Sequence, residues 1–395
     1  MAERRPVPAR GGRLPLASAA VGGAGLLLCL LGAWLDPRQA AFSYLAAFAC
    51  WLAVALGALV MVMIAHSTGA SWFLPVRRLA ECVAATLPLF ALLFVPLLLA
   101  AGELYPWARP LHTLGEPVRE AVLAKRGYFD LPFFAGRAAL YFAVWIAVAL
   151  LLLAWSVRSD ARPDPGLVRR QRVLAAVGLP PVGFALTFAA FDWLMSLAPE
   201  WTSTLFGIYY FAGGMTSALG LLAALTFALG RGGALPAELA PAHFHALGKL
   251  LLTFVIFWGY VAYAQFFIIW IADIPEEAGW YLPRVSGGWR WVAVALFAGQ
   301  FALPFFALLS WRLKRTPVAL AAVGGWLVLA HCLDLYWLVL PALHPVRPVV
   351  HWLDLAAFLG VGGAALAFGS WRFGAHAPAP TGDPDWPAAL EFTTR

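Results

Sequence analysis

Ten apolar stretches, each long enough to cross a bilayer, dominate this chain. They run approximately over residues 15–35, 41–66, 82–102, 133–157, 172–195, 204–229, 244–272, 289–311, 317–340 and 349–372. A hydrocarbon core of ~30 Å takes about 20 apolar residues per helix. In that medium every backbone polar group must be satisfied within its own segment, so long unbroken runs fold as helices. The alternation of a membrane barrel is absent. Of the 395 residues, 62% are apolar and 12% charged, against roughly 45–50% and 25% in a soluble domain. That balance excludes a water-soluble enzyme, a disordered chain and a nucleic-acid binder. The expected fold is an all-α polytopic membrane protein, with one ten-helix domain over 15–372 between a cytoplasmic N-terminal segment, 1–14, and a cytoplasmic tail, 373–395.

Charge sets the orientation. The net charge of +7 reads as topology rather than as a polyanionic partner. With the N-terminus inside, two thirds of the 27 Lys and Arg residues fall on the cytoplasmic side, among them Arg77, Arg78, Arg169, Arg170, Arg172 and Arg312. Both termini are therefore placed in the cytoplasm. The first apolar run, behind Arg4, Arg5, Arg10 and Arg13, is longer than a signal peptide's and lacks a clear small-x-small cleavage site before Asp36, so it reads as a retained helix. Cys29, Cys50, Cys82 and Cys332 form no C-x-x-C pair, and no metal site or haem attachment has sequence support.

Two outer connections are long. Residues 103–132 contain Glu116-Pro117 ahead of a helix-like stretch, Val118–Arg126, and read equally as a docking element or a headgroup-bound helix. The 273–290 connection carries Glu276 and Glu277, read as docking residues for an extrinsic partner. The tail from His376 is rich in Pro, Gly and Asp and is expected to be loosely ordered. Asp192 precedes Pro199 by the same seven residues that separate Asp334 from Pro341. This points to two parallel four-helix bundles, helices 2–5 and 6–9, flanked by helices 1 and 10.

Ionisable side chains inside a membrane are costly and are functional candidates by default. His331/Asp334 and His351/Asp354 are spaced i, i+3, which puts each pair on one helix face. At 1.5 Å per residue, Asp334 lies ~10 Å and Asp354 ~8 Å below the outer ends of their helices, His331 ~15 Å and His351 ~3 Å. Together they make a string from the outer surface to mid-membrane, with Asp192 at a depth like that of Asp334. On helix 7, Lys249, Thr253, Tyr260 and Tyr263 share about 80° of arc and read as an inner half of the same path. Interhelical packing glue is the competing reading of all these residues. Bis-histidine haem ligation is disfavoured by the ~12 Å offset of His331 and His351. No P-loop, G-x-S-x-G or H-E-x-x-H occurs.

Several local patterns carry a family resemblance. They are Ser43-Tyr44-Leu45 with Trp51 and Gly57, Arg77-Arg78-Leu79-Ala80-Glu81, and Phe191-Asp192-Trp193-Leu194-Met195-Ser196-Leu197. The run Thr204–Gly214, Leu247-Gly248-Lys249, Phe257-Trp258, Tyr263-Ala264-Gln265 and Ile274-Pro275-Glu276-Glu277 complete the set. In these the chain resembles the NrfD/PsrC-like membrane subunits of bacterial respiratory complexes. It is most similar to the shorter NrfD-like subunit of alternative complex III, a quinol:cytochrome c or electron-carrier oxidoreductase. The resemblance implies a location in the bacterial cytoplasmic (inner) membrane. It implies partners: a multihaem cytochrome c subunit, an iron–sulfur (molybdopterin-like) subunit, a second and longer NrfD-like subunit, and small membrane-anchored subunits. Haem and iron–sulfur clusters then belong to those partners, this chain binds no cofactor of its own apart from a possible quinone or quinol, and proton translocation is the expected contribution. A quinol-binding redox subunit, a structural scaffold and a secondary transporter are the alternatives.

Overall fold

The structure, a computed structural model, describes residues 13–235 and 239–393. Among them, ten helices are long and apolar enough to cross a membrane: α1 Leu14–Leu35, α2 Pro37–Thr68, α3 Ser71–Leu99, α4 Leu131–Ala161, α5 Pro165–Leu197, α6 Phe206–Arg231, α7 Pro241–Ala272, α8 Trp289–Leu309, α9 Pro317–Ala342 and α10 Trp352–Gly374. Each overlaps one apolar stretch of the sequence, and no strand occurs among the described residues. The all-helical, multi-pass expectation holds.

Local chemistry marks the helix starts. Asp36, Asp130 and Asp164 each precede a helix and accept a backbone N–H from its first turn, at 3.1, 3.1 and 2.8 Å. Such caps satisfy donors that a helix leaves without partners. Pro37 and Pro165 occupy first helical positions, where their missing N–H costs nothing. α3 is interrupted near Ala85 and Phe94, each two or three residues before a proline, Pro88 and Pro96. In α8 a π-helical turn, Phe297–Ala302, frees backbone acceptors, and Trp326 Nε1 donates to the Gly299 carbonyl at 2.8 Å.

α2 lies at the centre, packed against α5, α6, α9 and α10. Between helices in lipid the hydrophobic drive is weak, so close backbone approach at small residues decides the contacts. At the α6–α9 crossing a Cβ on Gly220 would sit 2.6 Å from the Gly324 carbonyl oxygen. Only glycine allows that crossing. α1, the most exposed span, lies antiparallel along α10, where a Cβ on Gly25 would meet Gly360 Cα at 2.5 Å. The described chain therefore begins and ends on one face, called here the tail face.

That face is more ordered than the sequence predicts. Beyond α10 the chain turns back and docks beneath α3, α4 and α7. Asp383 pairs with Arg77 at 2.8 Å, Asp385 with Arg172 at 2.8 Å, and the Gly382 N–H points to Asp160 at 3.4 Å. His243 Nε2 lies 3.0 Å from the Ala389 carbonyl. The expectation of a loosely ordered tail is corrected: its aspartates meet arginines that the helix ends present. On the far face the 103–132 connection also folds onto the bundle, with Tyr105 and Trp107 buried. Trp107 Nε1 donates to Ser196 at 3.2 Å and Lys125 Nζ to the Pro199 carbonyl at 2.7 Å. Its helix runs over Glu116–Ala124.

Candidate functional site

Where α2, α6 and α9 meet, α9 places His331 and Asp334 one turn apart, 1% and 0% exposed. Tyr209, in the first turn of α6, donates its hydroxyl to Asp334 Oδ1. His331 Nδ1 lies 3.7 Å from Asp334 Oδ2, beyond hydrogen-bond reach. Both ring nitrogens of His331 and Asp334 Oδ2 are left without a hydrogen bond among the described residues. Buried polar atoms are rarely left so, because each unmade bond costs ~1–3 kcal/mol. The opposing wall is Gly213, where a Cβ would come within 2.8 Å of His331 Cε1. The sequence thus clears room beside an imidazole and a carboxylate that share one helix face. Such a pair can hold a proton on either member and pass it through a water.

Asp192, expected beside this pair, stands elsewhere. It closes α5 and accepts from Arg137 Nε at 2.8 Å and a second guanidinium nitrogen at 2.9 Å. The hydroxyls of Tyr128 and Tyr141 add bonds of 2.6 and 2.9 Å. Arg137 is stacked over Tyr128, 3.9 Å from the ring centroid. All three partners come from α4 and the connection before it, so Asp192 ties that region to α5. It shares no partner with Asp334. The sequence hid this arrangement because Arg137 reads as a helix-end cation until α4 and α5 are placed together.

His351 and Asp354 also differ from expectation. α10 begins at Trp352, not 349, because the segment through Pro345 and Pro348 stays non-helical. His351 is therefore the cap residue outside the helix, and Asp354 its third residue, ~4 Å deep rather than ~8 Å. Asp354 Oδ2 accepts the His351 N–H at 2.8 Å, and His351 Nδ1 accepts the Leu353 N–H at 3.3 Å. The other carboxylate oxygen accepts from Ser43 Oγ at 2.6 Å and Gln39 Nε2 at 3.3 Å, and Gln39 Oε1 lies 2.7 Å from His344 Nε2. A polar string, His344–Gln39–Ser43–Asp354, links α2 to α10 at the far face. Ser43 stood in the sequence pattern; Gln39 and His344 did not.

The helix 7 stripe faces the wrong way for an interior path. Lys249, Thr253, Tyr260 and Tyr263 are all exposed, and Thr253 donates to its own helix, to the Lys249 carbonyl at 3.0 Å. Their shared arc is real; its direction is outward. α6 carries three buried hydroxyls, Thr216, Ser217 and Thr226, of which the first two donate to carbonyls of their own helix, Ala212 at 2.9 Å and Gly214 at 3.1 Å.

Two cationic sites stand out, one at arginines read from the sequence as topology charges and one, Arg284, not singled out there. Arg78 is wholly buried on the tail face, 2.5 Å from Asp160 and 3.5 Å from Glu81, while Arg77 joins Glu81 at 3.2 Å and Asp383. Positive-inside topology alone does not bury two arginines. Near the far face, Arg284 donates to the Trp280 and Leu338 carbonyls, both at 2.8 Å, and lies 3.7 Å from the Trp280 ring centroid. Burial pushes its guanidinium down to about 9.

Glu277 lines a far-face cavity of about 430 Å³ with Thr202, Ser203, Thr204 and Gln265; the Glu276 side chain lies outside the described residues. A larger aromatic cleft, about 690 Å³, opens between α7 and α8, lined by Tyr209, Trp258, Tyr263, Phe297, Phe301 and Trp337 among others. Among the described residues, no three His, Cys, Asp or Glu side chains gather as a metal site would require. Compared with known proteins, the chain matches no family model and no curated protein.

Proposed function

We propose that this chain is an integral subunit of a quinol-oxidising respiratory complex of the alternative complex III kind, and that it contributes a transmembrane proton path. The observation that carries the path is the Tyr209–Asp334–His331 cluster, whose unpartnered polar atoms lie buried between apolar helices. A purely structural polar cluster gains nothing from leaving such atoms unbonded. The complex itself rests on the sequence resemblance. In this reading the tail face is cytoplasmic, the chain lies in the bacterial inner membrane, and helices 2–5 and 6–9 act as two units. A multihaem cytochrome c, an iron–sulfur subunit, a second NrfD-like subunit and small anchored subunits supply the redox centres. The outer limb runs over His344, Gln39, Ser43 and Asp354. The middle is Asp334 with His331, and the inner limb follows Thr216, Ser217 and Thr226 of α6, in place of the outward stripe on α7.

The test is Asp334→Asn in the assembled complex, reconstituted in liposomes. Proton translocation per electron should fall several-fold while quinol oxidation continues. Unchanged acidification per electron, with assembly intact, would leave Asp334 as interhelical glue. A second reading, quinol binding by this chain, is favoured by one feature: the aromatic cleft has the ring of Tyr209 in its wall, and the Tyr209 hydroxyl is bonded to Asp334.

A further inference from the structure

We propose that Cys50 and Cys332 are a reversible dithiol–disulfide pair, a redox-operated staple between α2 and α9. Their sulfurs lie 3.3 Å apart, although 282 residues separate them in the chain. A disulfide bond is ~2.05 Å long, so closure needs an approach of roughly 1.2 Å. All four cysteines are free thiols, and among the described residues no other two of them are in contact; Cys29 lies on α1 and Cys82 on α3.

The surroundings select the reagent. Cys50 is fully buried, while Cys332 is partly exposed on the side of α9, within a span that is apolar throughout. Water-soluble thiols, which keep cytosolic cysteines reduced, are kept at a distance by that setting. A membrane-dissolved two-electron oxidant of the quinone class is not. In the reaction two S–H bonds break and one S–S bond forms. Both electrons and both protons pass to the quinone, which becomes a quinol, and a lipid-permeant dithiol reverses the step. Cys332 directly follows His331 and lies two residues before Asp334, so the staple pins α9 to α2 at the level of the buried pair. This inference does not depend on the proposed proton path or on any partner subunit.

The experiment uses the full-length chain in native membranes. They are treated with a short-chain quinone, quenched, dissolved in denaturant and alkylated, and each cysteine is read by peptide mass spectrometry. Cys50 and Cys332 should lose alkylation together and appear as one cross-linked peptide pair, restored by a permeant dithiol, while Cys29 and Cys82 stay fully alkylated. In Cys50→Ala, Cys332 should remain alkylated after the same treatment, and Cys332→Ala should protect Cys50 likewise. Full alkylation of both cysteines in the treated wild type overturns the proposal. So does loss at Cys332 that persists in Cys50→Ala, which would mark a quinone adduct instead.

Discussion

Asp192 and Asp334 occupy matching places, each seven residues before a proline near the far-face end of its helix, yet their surroundings are opposite. Asp192 has a bidentate arginine and two tyrosine hydroxyls, so both oxygens are bonded and its charge is neutralised. Asp334 has one tyrosine, no arginine or lysine in its ion pairs, and an oxygen facing a histidine that is not close enough to bond. A saturated carboxylate holds helices together, because every change of protonation breaks several bonds at once. A half-satisfied one is poor glue and can exchange a proton with little rearrangement. Sequence depth alone gave both residues the same role; their partners separate them.

The sharpest way to break this contrast is to remove the cation. In Arg137→Met the aliphatic stem is largely kept, but Asp192 is left buried without its counter-charge. Breaking a buried ion pair from one side costs about 3–5 kcal/mol. Unfolding of the purified chain in mixed detergent micelles should show a loss of that order. If the comparison is right, Asp334→Asn lowers stability far less in the same assay, since no cation is orphaned. Equal losses for the two variants would erase the distinction between clamp and exchange site.

A smaller effect separates the sites from the other direction. Tyr209→Phe takes away the one hydrogen bond Asp334 makes and leaves both its oxygens unpartnered. An unsatisfied buried acceptor costs about 1–3 kcal/mol, readable in the same unfolding assay. The phenylalanine ring keeps the packing against Trp258, whose ring centroid is 5.7 Å away. A loss below what thermal unfolding resolves would mean that Asp334 already finds another donor, and the cluster would be better satisfied than its geometry indicates.

What the sequence made legible follows from the solvent it is built for. Hydrophobic runs in lipid must be helices, so ten spans were countable, and the cost of burying an ionisable group singled out His331 and Asp334. Identity of partners was not legible. Tyr209 and Arg137 become partners of the aspartates only when α6 meets α9 and α4 meets α5, and neither contact leaves a local signal. Gly213 looks like any helix glycine until His331 is seen across from it. Direction was also hidden. The arc shared by Lys249, Thr253, Tyr260 and Tyr263 is set by periodicity, but a tyrosine is at home in lipid near an interface, so nothing in the pattern says inward or outward. At α10 the apolar residues Val349 and Val350 extended the helix on paper. Pro348 and the His351 cap end it sooner, and that moved Asp354 from mid-helix to the first turn.

The smallest expected change lies at the rim of the clamp. Tyr128 gives one of the four side-chain hydrogen bonds to Asp192, at 2.6 Å, and is itself half-buried outside the span. Because Arg137 still holds both carboxylate oxygens, Tyr128→Phe should cost only about 1 kcal/mol, well below Arg137→Met. Its pH dependence adds a second reading. Burial, with Asp192 behind it, raises the Tyr128 hydroxyl above the ordinary phenol value of 10.0. A raised phenol contributes stability that is full below the unfolded-state value and lost as pH climbs from there through the folded-state value. The wild type should therefore lose stability above pH 10 more steeply than Tyr128→Phe, whose remaining alkaline loss comes from other tyrosines. Identical alkaline slopes would mean that the Tyr128 hydroxyl is open to solvent and that Arg137 and Tyr141 make the clamp without it.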